Sequence, residues 1–171
     1  MEQTIVVVTF YSRGGSTERV ATAAAVGAVQ ARAGIRMRRL PDADPAAVIE
    51  RFPQHRDDLR RMHKEYVPPR EADVLAADVL ILASPPDVSP ASEEWKSYFE
   101  LLGRLQSEGK LRGKVAAVAE DGPLSQAFSS ALQRLGLTPV APPSAGGDVD
   151  AVARALALGR AAVAAVHALR T

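Results

Sequence analysis

The stretch Ile5 to Phe10 reads "IVVVTF", an apolar and β-branched run with no alternation of polar and apolar residues. A strand that is equally apolar on both faces has to be covered on both, as in a parallel sheet flanked by helices. Parallel neighbours need a crossover of a dozen or more residues, so the segment that follows is expected to be helical. Residues 16–33 fit that expectation, with good helix formers and Val20, Ala24, Gly27 and Ala31 spaced three and four apart. Their small side chains make a narrow face suited to close packing. Gly34 is expected to end this helix. The stretch 35–40, "IRMRRL", alternates apolar and basic residues, which predicts a second strand nearer the sheet edge with one wet face, closed by Pro41.

The same alternation then recurs along the chain. Residues 77–84, "ADVLILAS", predict a central strand ending before Pro85 and Pro86. Ser92 is placed to cap the next helix, with Glu93 and Glu94 in its first turn and Trp95, Phe99, Leu102 and Leu105 on its apolar face until Gly109. Residues 114–120 predict a strand, 123–135 a helix stopped at Gly136, and 137–141 a last strand weakened by Pro139. A long final helix is expected over 148–169 with Val149, Val152, Leu156, Val163 and Val166 inward. About five rounds of strand and helix define a doubly wound α/β fold, and 171 residues suffice for one domain, 1–171. Ligands of such folds bind beyond the carboxyl ends of the strands, which directs attention to the loops starting at Tyr11, Ser84 and Glu120.

Residues 42–71 depart from the simple repeat. Arg51, Arg56, Arg60, Arg61, Lys64 and Arg70 outnumber Asp57, Asp58 and Glu65 there. The reading favours a solvated helix and loop over a site for an anionic partner such as a nucleotide phosphate.

Composition removes several classes of function. A formal net charge of +1 leaves no broad positive field for nucleic acid or a membrane surface. The absence of cysteine excludes disulfides, thiolate catalysis and cysteine-ligated metal, and three scattered histidines argue against a histidine metal site. "MEQTIVVV" has no basic region ahead of its apolar run, and Arg154, Arg160 and His167 interrupt the alanine-rich end. A cytoplasmic protein without membrane insertion is expected.

The loop "YSRGGSTERVA" carries the chemistry. A helix starting near Ser16 has amides without partners and a partial positive charge at its first turn, which together attract an anion. Gly14 and Gly15 permit tight turns and clear space for a phosphate, while Ser12, Ser16 and Thr17 offer hydroxyls. The alternative is that the glycines only turn the chain and Ser16 only caps the helix. The dinucleotide fingerprint lacks its third glycine and the P-loop lacks its Gly-Lys-Ser/Thr, so a phosphate here would be a handle for holding a cofactor.

"TFYSRGGSTERVA" resembles the phosphate-binding loop of flavodoxins, and the wider chain resembles the flavodoxin-like NAD(P)H:quinone oxidoreductases related to the tryptophan-repressor-binding protein. "LAADVLILASPP" resembles their third strand and the start of the loop beside the flavin, with Ala83 where a glycine is typical. The resemblance implies a five-stranded parallel sheet of order 2-1-3-4-5 and an FMN cofactor. Ser12, Arg13, Gly14, Gly15, Ser16 and Thr17 would hold its phosphate; Pro85, Pro86, Asp87 and Val88 would flank the ring; and Glu120, Asp121 and Gly122, with Pro123, would approach its other edge. It also implies NAD(P)H as donor and a small acceptor such as a quinone; the residues leave open whether the chain is a monomer or a homo-oligomer. Two features depart from the pattern: "AEDGPL" is shorter than the family's glycine- and threonine-rich loop, and no aromatic lies between Pro85 and Glu94. Trp95 is read as core or subunit interface. A flavodoxin-like domain that has lost its flavin and serves as a binding or scaffolding module is the alternative left open.

Overall fold

The computed structural model describes residues 2–119, 124–141 and 150–171. Five parallel strands, β1 Ile5–Phe10, β2 Gly34–Arg39, β3 Val79–Ala83, β4 Val115–Val118 and β5 Thr138–Pro139, form one sheet in the order β2-β1-β3-β4-β5. The helices are α1 Ser16–Gln30, α2 Pro45–Arg51, α3 Arg56–Glu65, α4 Glu71–Ala76, α5 Glu93–Ser107, α6 Ser125–Arg134 and α7 Ala151–Arg170. The expected order and the doubly wound class are thus observed.

β1 shows why its sequence does not alternate. Val6, Val8 and Phe10 point into a core shared with α1 and α7, whereas Val7 points into one shared with α5 and α6. Each fully buried side chain of this size contributes roughly 1.5–3 kcal/mol. On the first face, α1 and α7 cross at Gly27 and Gly159. A Cβ on Gly27 would lie 2.0 Å from the Leu156 carbonyl oxygen, and one on Gly159 would lie 2.0 Å from that of Ala24. This crossing sets which face of α7 is buried: Ala155, Leu158, Gly159, Ala162, Val163 and Val166 turn inward. Val152, expected inward, is exposed, and Val149 lies outside the described residues. α7 is long and apolar enough to cross a membrane, yet its apolar stripe is spent on α1 and the sheet.

Other local expectations change. Gly34 does not end α1; it opens β2, and Arg32 takes the left-handed conformation at φ 68°. The Arg32 amide donates to Val29 O at 2.9 Å and the Ala33 amide to Ala28 O at 3.0 Å, the two bonds of a Schellman motif. Ser92 occupies the N-cap of α5, but its buried Oγ has no partner there. The basic face of β2 is only partly wet, with the Arg36 side chain 39% exposed. α4 brings the buried Asp73 over it, where the carboxylate accepts from Arg38 at 2.9 and 3.0 Å, from Arg36 at 3.1 Å and from the Arg70 amide at 2.9 Å. Burial opposes ionisation of Asp73, and these donors outweigh it, so the carboxyl lies below its ordinary range.

Candidate functional site

The strand order reverses between β1 and β3, and in folds of this class ligands bind beyond the carboxyl ends of the strands at such a point. The loop leaving β1 is held from within. Tyr11 is buried, with its amide donating to Ala83 O at 3.1 Å and its hydroxyl to Asp42 Oδ1 at 2.8 Å. Ser12 is buried too. Its Oγ accepts from the amides of Gly15 and Glu18, both at 3.2 Å, and its carbonyl accepts from Arg39 Nη2 at 2.8 Å. The Ser12 hydroxyl therefore caps α1 in place of Gly15, which stands at the N-cap with φ 90° and has no side chain to offer. Among the described residues no acceptor pairs with the amides of Gly14, Ser16 and Thr17. Unpaired amides of this kind at a helix N-terminus are able to receive an anion.

Arg39 lies beneath this loop, 4% exposed, at the end of β2. It meets Asp42 Oδ1 at 3.2 Å and stands 5.5 Å from the Tyr11 ring centroid, while its Nε has no partner. Burial and the Asp42 carboxylate push the Tyr11 hydroxyl well above the ordinary range, so it stays protonated and donates to Asp42.

The basic segment folds back over the same loop. A turn of 3-10 helix, Pro53–His55, joins α2 to α3 and lays the His55 imidazole on Gly14. A side chain at Gly14 would meet the ring carbon Cε1 at 2.4 Å, so the imidazole lies where only a glycine leaves it room without moving. α3 is clamped to the first turn of α1: Arg61 donates to the Glu18 carboxylate at 3.0 and 2.6 Å, and the Tyr66 hydroxyl adds a bond of 2.6 Å. Arg61 is the main cause that holds the Glu18 carboxyl below its ordinary range, with Tyr66 assisting against partial burial. Burial and the Glu18 carboxylate raise the Tyr66 hydroxyl to about 12.

The loop leaving β3 is held as well. The Val88 amide closes a turn on Pro85 O at 3.0 Å, and Ser84 Oγ donates to Val88 O at 3.0 Å. Ser84 Oγ in turn accepts from Trp95 Nε1 at 2.9 Å. Trp95 is fully buried against Tyr98, Phe99 and Phe128, so it fixes this loop from the core. Pro85 and Val88 are buried, whereas Pro86 and Asp87 are exposed at the tip. Asp87 accepts from Arg13 at 2.5 Å, and that guanidinium holds its carboxyl below the ordinary range. Arg13 also stands 4.5 Å from the Phe52 ring centroid. The two loops are thereby bridged.

The structure therefore places Ser12, Arg13, Gly14, Gly15, Ser16 and Thr17 on the loop from β1 into α1 and Pro85, Pro86, Asp87 and Val88 on the loop leaving β3, the two joined by Arg13–Asp87. Glu120, Asp121 and Gly122, with Pro123, lie outside the described residues. Phe52, His55, Arg39 and Asp42 were not singled out by the sequence. Phe52 is the informative omission, since it brings an aromatic ring to Arg13 of the β1 loop, while no aromatic lies between Pro85 and Glu94. In "RFPQH" the sequence offers one signal, an aromatic ahead of a proline in an otherwise charged stretch.

This sheet order is that of the flavodoxin fold, and comparison with solved structures agrees. The chain matches a Streptococcus pneumonia TIGR4 flavodoxin with TM-score 0.63 at 16% identity, over 95% of this chain and 99% of that one. It matches a flavodoxin, WrbA-like protein from Agrobacterium tumefaciens with TM-score 0.61 at 19% identity, over 97% and 99%. In sequence the chain is related to proteins named NAD(P)H dehydrogenase (quinone). It is 31% identical to one from Archaeoglobus fulgidus over 66% of this chain and 59% of that protein, and 33% identical to one from Paracoccus denitrificans over 67% and 52%. The chain thus spans little more than half the length of the curated relatives it matches. No family model matches it.

Proposed function

We propose that this chain is a flavoprotein oxidoreductase, in which FMN is held by its phosphate at the N-terminus of α1 and electrons from NAD(P)H pass to a quinone or similar small acceptor. The observation that carries the reading is the amide set of Gly14, Ser16 and Thr17, unspent among the described residues, on a loop at the switch point that Arg13–Asp87 ties to the β3 loop. The donor set suits a phosphate monoester, because it offers backbone N–H groups and hydroxyls at a helix N-terminus. The relatives named NAD(P)H dehydrogenase (quinone) support the choice of donor and acceptor.

Bound FMN would supply the redox chemistry, accepting hydride and releasing electrons to the acceptor. The chain's own part is to bind, orient and exclude water. Gly14, Ser16 and Thr17 would hold the phosphate; Pro86 and the Asp87–Arg13 pair would border the ring; Trp95, through Ser84, keeps the β3 loop in one conformation.

Ser16→Glu tests the reading without burdening the fold. Ser16 is exposed at the first position of α1, where a carboxylate favours the helix by about 0.3–1 kcal/mol but repels a phosphate. We expect the wild type to quench FMN fluorescence at micromolar concentrations, and S16E to melt no lower yet bind FMN at least about tenfold more weakly, the equivalent of about 1.4 kcal/mol. Equal affinity in the two proteins would place the phosphate elsewhere. NADH and NADPH oxidation, followed with and without benzoquinone, then tests the donor and acceptor.

A further inference from the structure

Resting on that reading, we propose that His55 is a side-chain ligand of the phosphate, donated across the loop by the segment that joins β2 to β3. Three observations converge on it. The imidazole lies directly on Gly14, with Nδ1 at 2.6 Å and Nε2 at 3.0 Å from where a Gly14 side chain would begin. It therefore stands on the glycine whose own amide is unspent, in the loop that leads to the unspent amides of Ser16 and Thr17. Among the described residues neither ring nitrogen has a hydrogen-bond partner, although the ring is half-buried and lies tilted against Phe52 with centroids 6.0 Å apart.

The charged groups that touch the loop are otherwise spent on acids. Arg61 is held by Glu18, Arg13 by Asp87, and Arg39 by Asp42 and the Ser12 carbonyl. Such pairs shape the loop but are neutralised by their partners. The imidazole is different: it has no acidic partner among the described residues, and at least one of its nitrogens carries a proton in every protonation state. A hydrogen bond from it to a phosphate oxygen would be charge-assisted and stronger than one between neutral groups. The basic segment 51–70 then has a use that the sequence left open. α3 is locked onto Glu18 so that the turn before it holds His55 at the loop.

The test compares FMN with riboflavin, which has the same ring and ribityl chain without the phosphate. His55→Ala and His55→Gln are titrated with both ligands by flavin fluorescence and calorimetry, with thermal melting as the folding control. Loss of one charge-assisted bond should weaken FMN by roughly tenfold to a hundredfold in H55A, leave riboflavin within about twofold, and be partly recovered in H55Q, whose amide keeps a donor. A uniform loss for both ligands, or no loss for FMN, would overturn the proposal. A wild-type protein that binds neither flavin would remove the cofactor reading itself, and His55 with it. A wild type that binds FMN while H55A is unchanged removes only His55.

Discussion

Arg32 shows how far a single backbone angle departs from what its residue prefers. It occupies the left-handed position of the Schellman motif after α1 at φ 68°, a conformation that costs an L-residue about 1–2 kcal/mol and glycine little. Arg32→Gly is therefore expected to raise stability by about 1 kcal/mol, read as an increase in the urea midpoint at constant slope. The sequence placed the helix stop at Gly34 because glycine is the usual terminator. It could not show that Gly34 opens β2 two residues later, with the side chains of Ile5 and Gln3 packed beside it. Ser12 carries the same lesson at the site. Its hydroxyl was legible as a phosphate donor, but its bonds to the Gly15 and Glu18 amides depend on a fold-back of the loop that spacing alone does not encode.

At the scale of elements, strands and helices were legible because burial on two faces or on one stripe leaves a periodic mark. β1, β3 and α5 are where the pattern put them, within a residue or two. Helix faces were less legible where small residues dominate. On α7 the larger Val152 was expected inward, yet the crossing is built on Gly159, since the approach of two backbones selects the residue with least bulk. This sets the sign of a substitution that propensity would get wrong. Glycine to alanine inside an exposed helix gains about 1 kcal/mol, but Gly159→Ala here drives a methyl into the Ala24 carbonyl and should cost roughly 1–3 kcal/mol or more. Thermal melting of G159A and G27A checks it, and a stabilised variant would mean that the helices do not cross this closely. The contacts of the segment 42–66 with the site were not legible at all, because they join residues about forty positions apart, such as Gly14 with His55 and Glu18 with Arg61.

Across the whole molecule, two carboxylates tie separate layers to the sheet and should govern its response to acid. Glu18 joins α1 to α3, and Asp73 joins α4 to the edge strand β2. Both carboxyls lie below their ordinary range in the folded state. Their contribution is therefore complete above the unfolded value of about 4 and is lost as pH falls through the folded values. Urea unfolding followed from pH 7 down to pH 3 should show the midpoint falling mainly below about pH 4. Asp73→Asn should lower it already at pH 7 and flatten the acid limb, because Arg36 and Arg38 then lack a counter-ion. The bonds inside the Tyr11–Gly15 loop act at the same scale but in a different currency, entropy. Fixing a residue's backbone costs about 1–2 kcal/mol, and with Ser12 clasped by Gly15, Glu18 and Arg39 that cost falls on folding. An anion arriving at Ser16 and Thr17 meets donors that have already given up their freedom, so its binding draws on little further ordering of the chain and its arrival need not wait for the loop to rearrange.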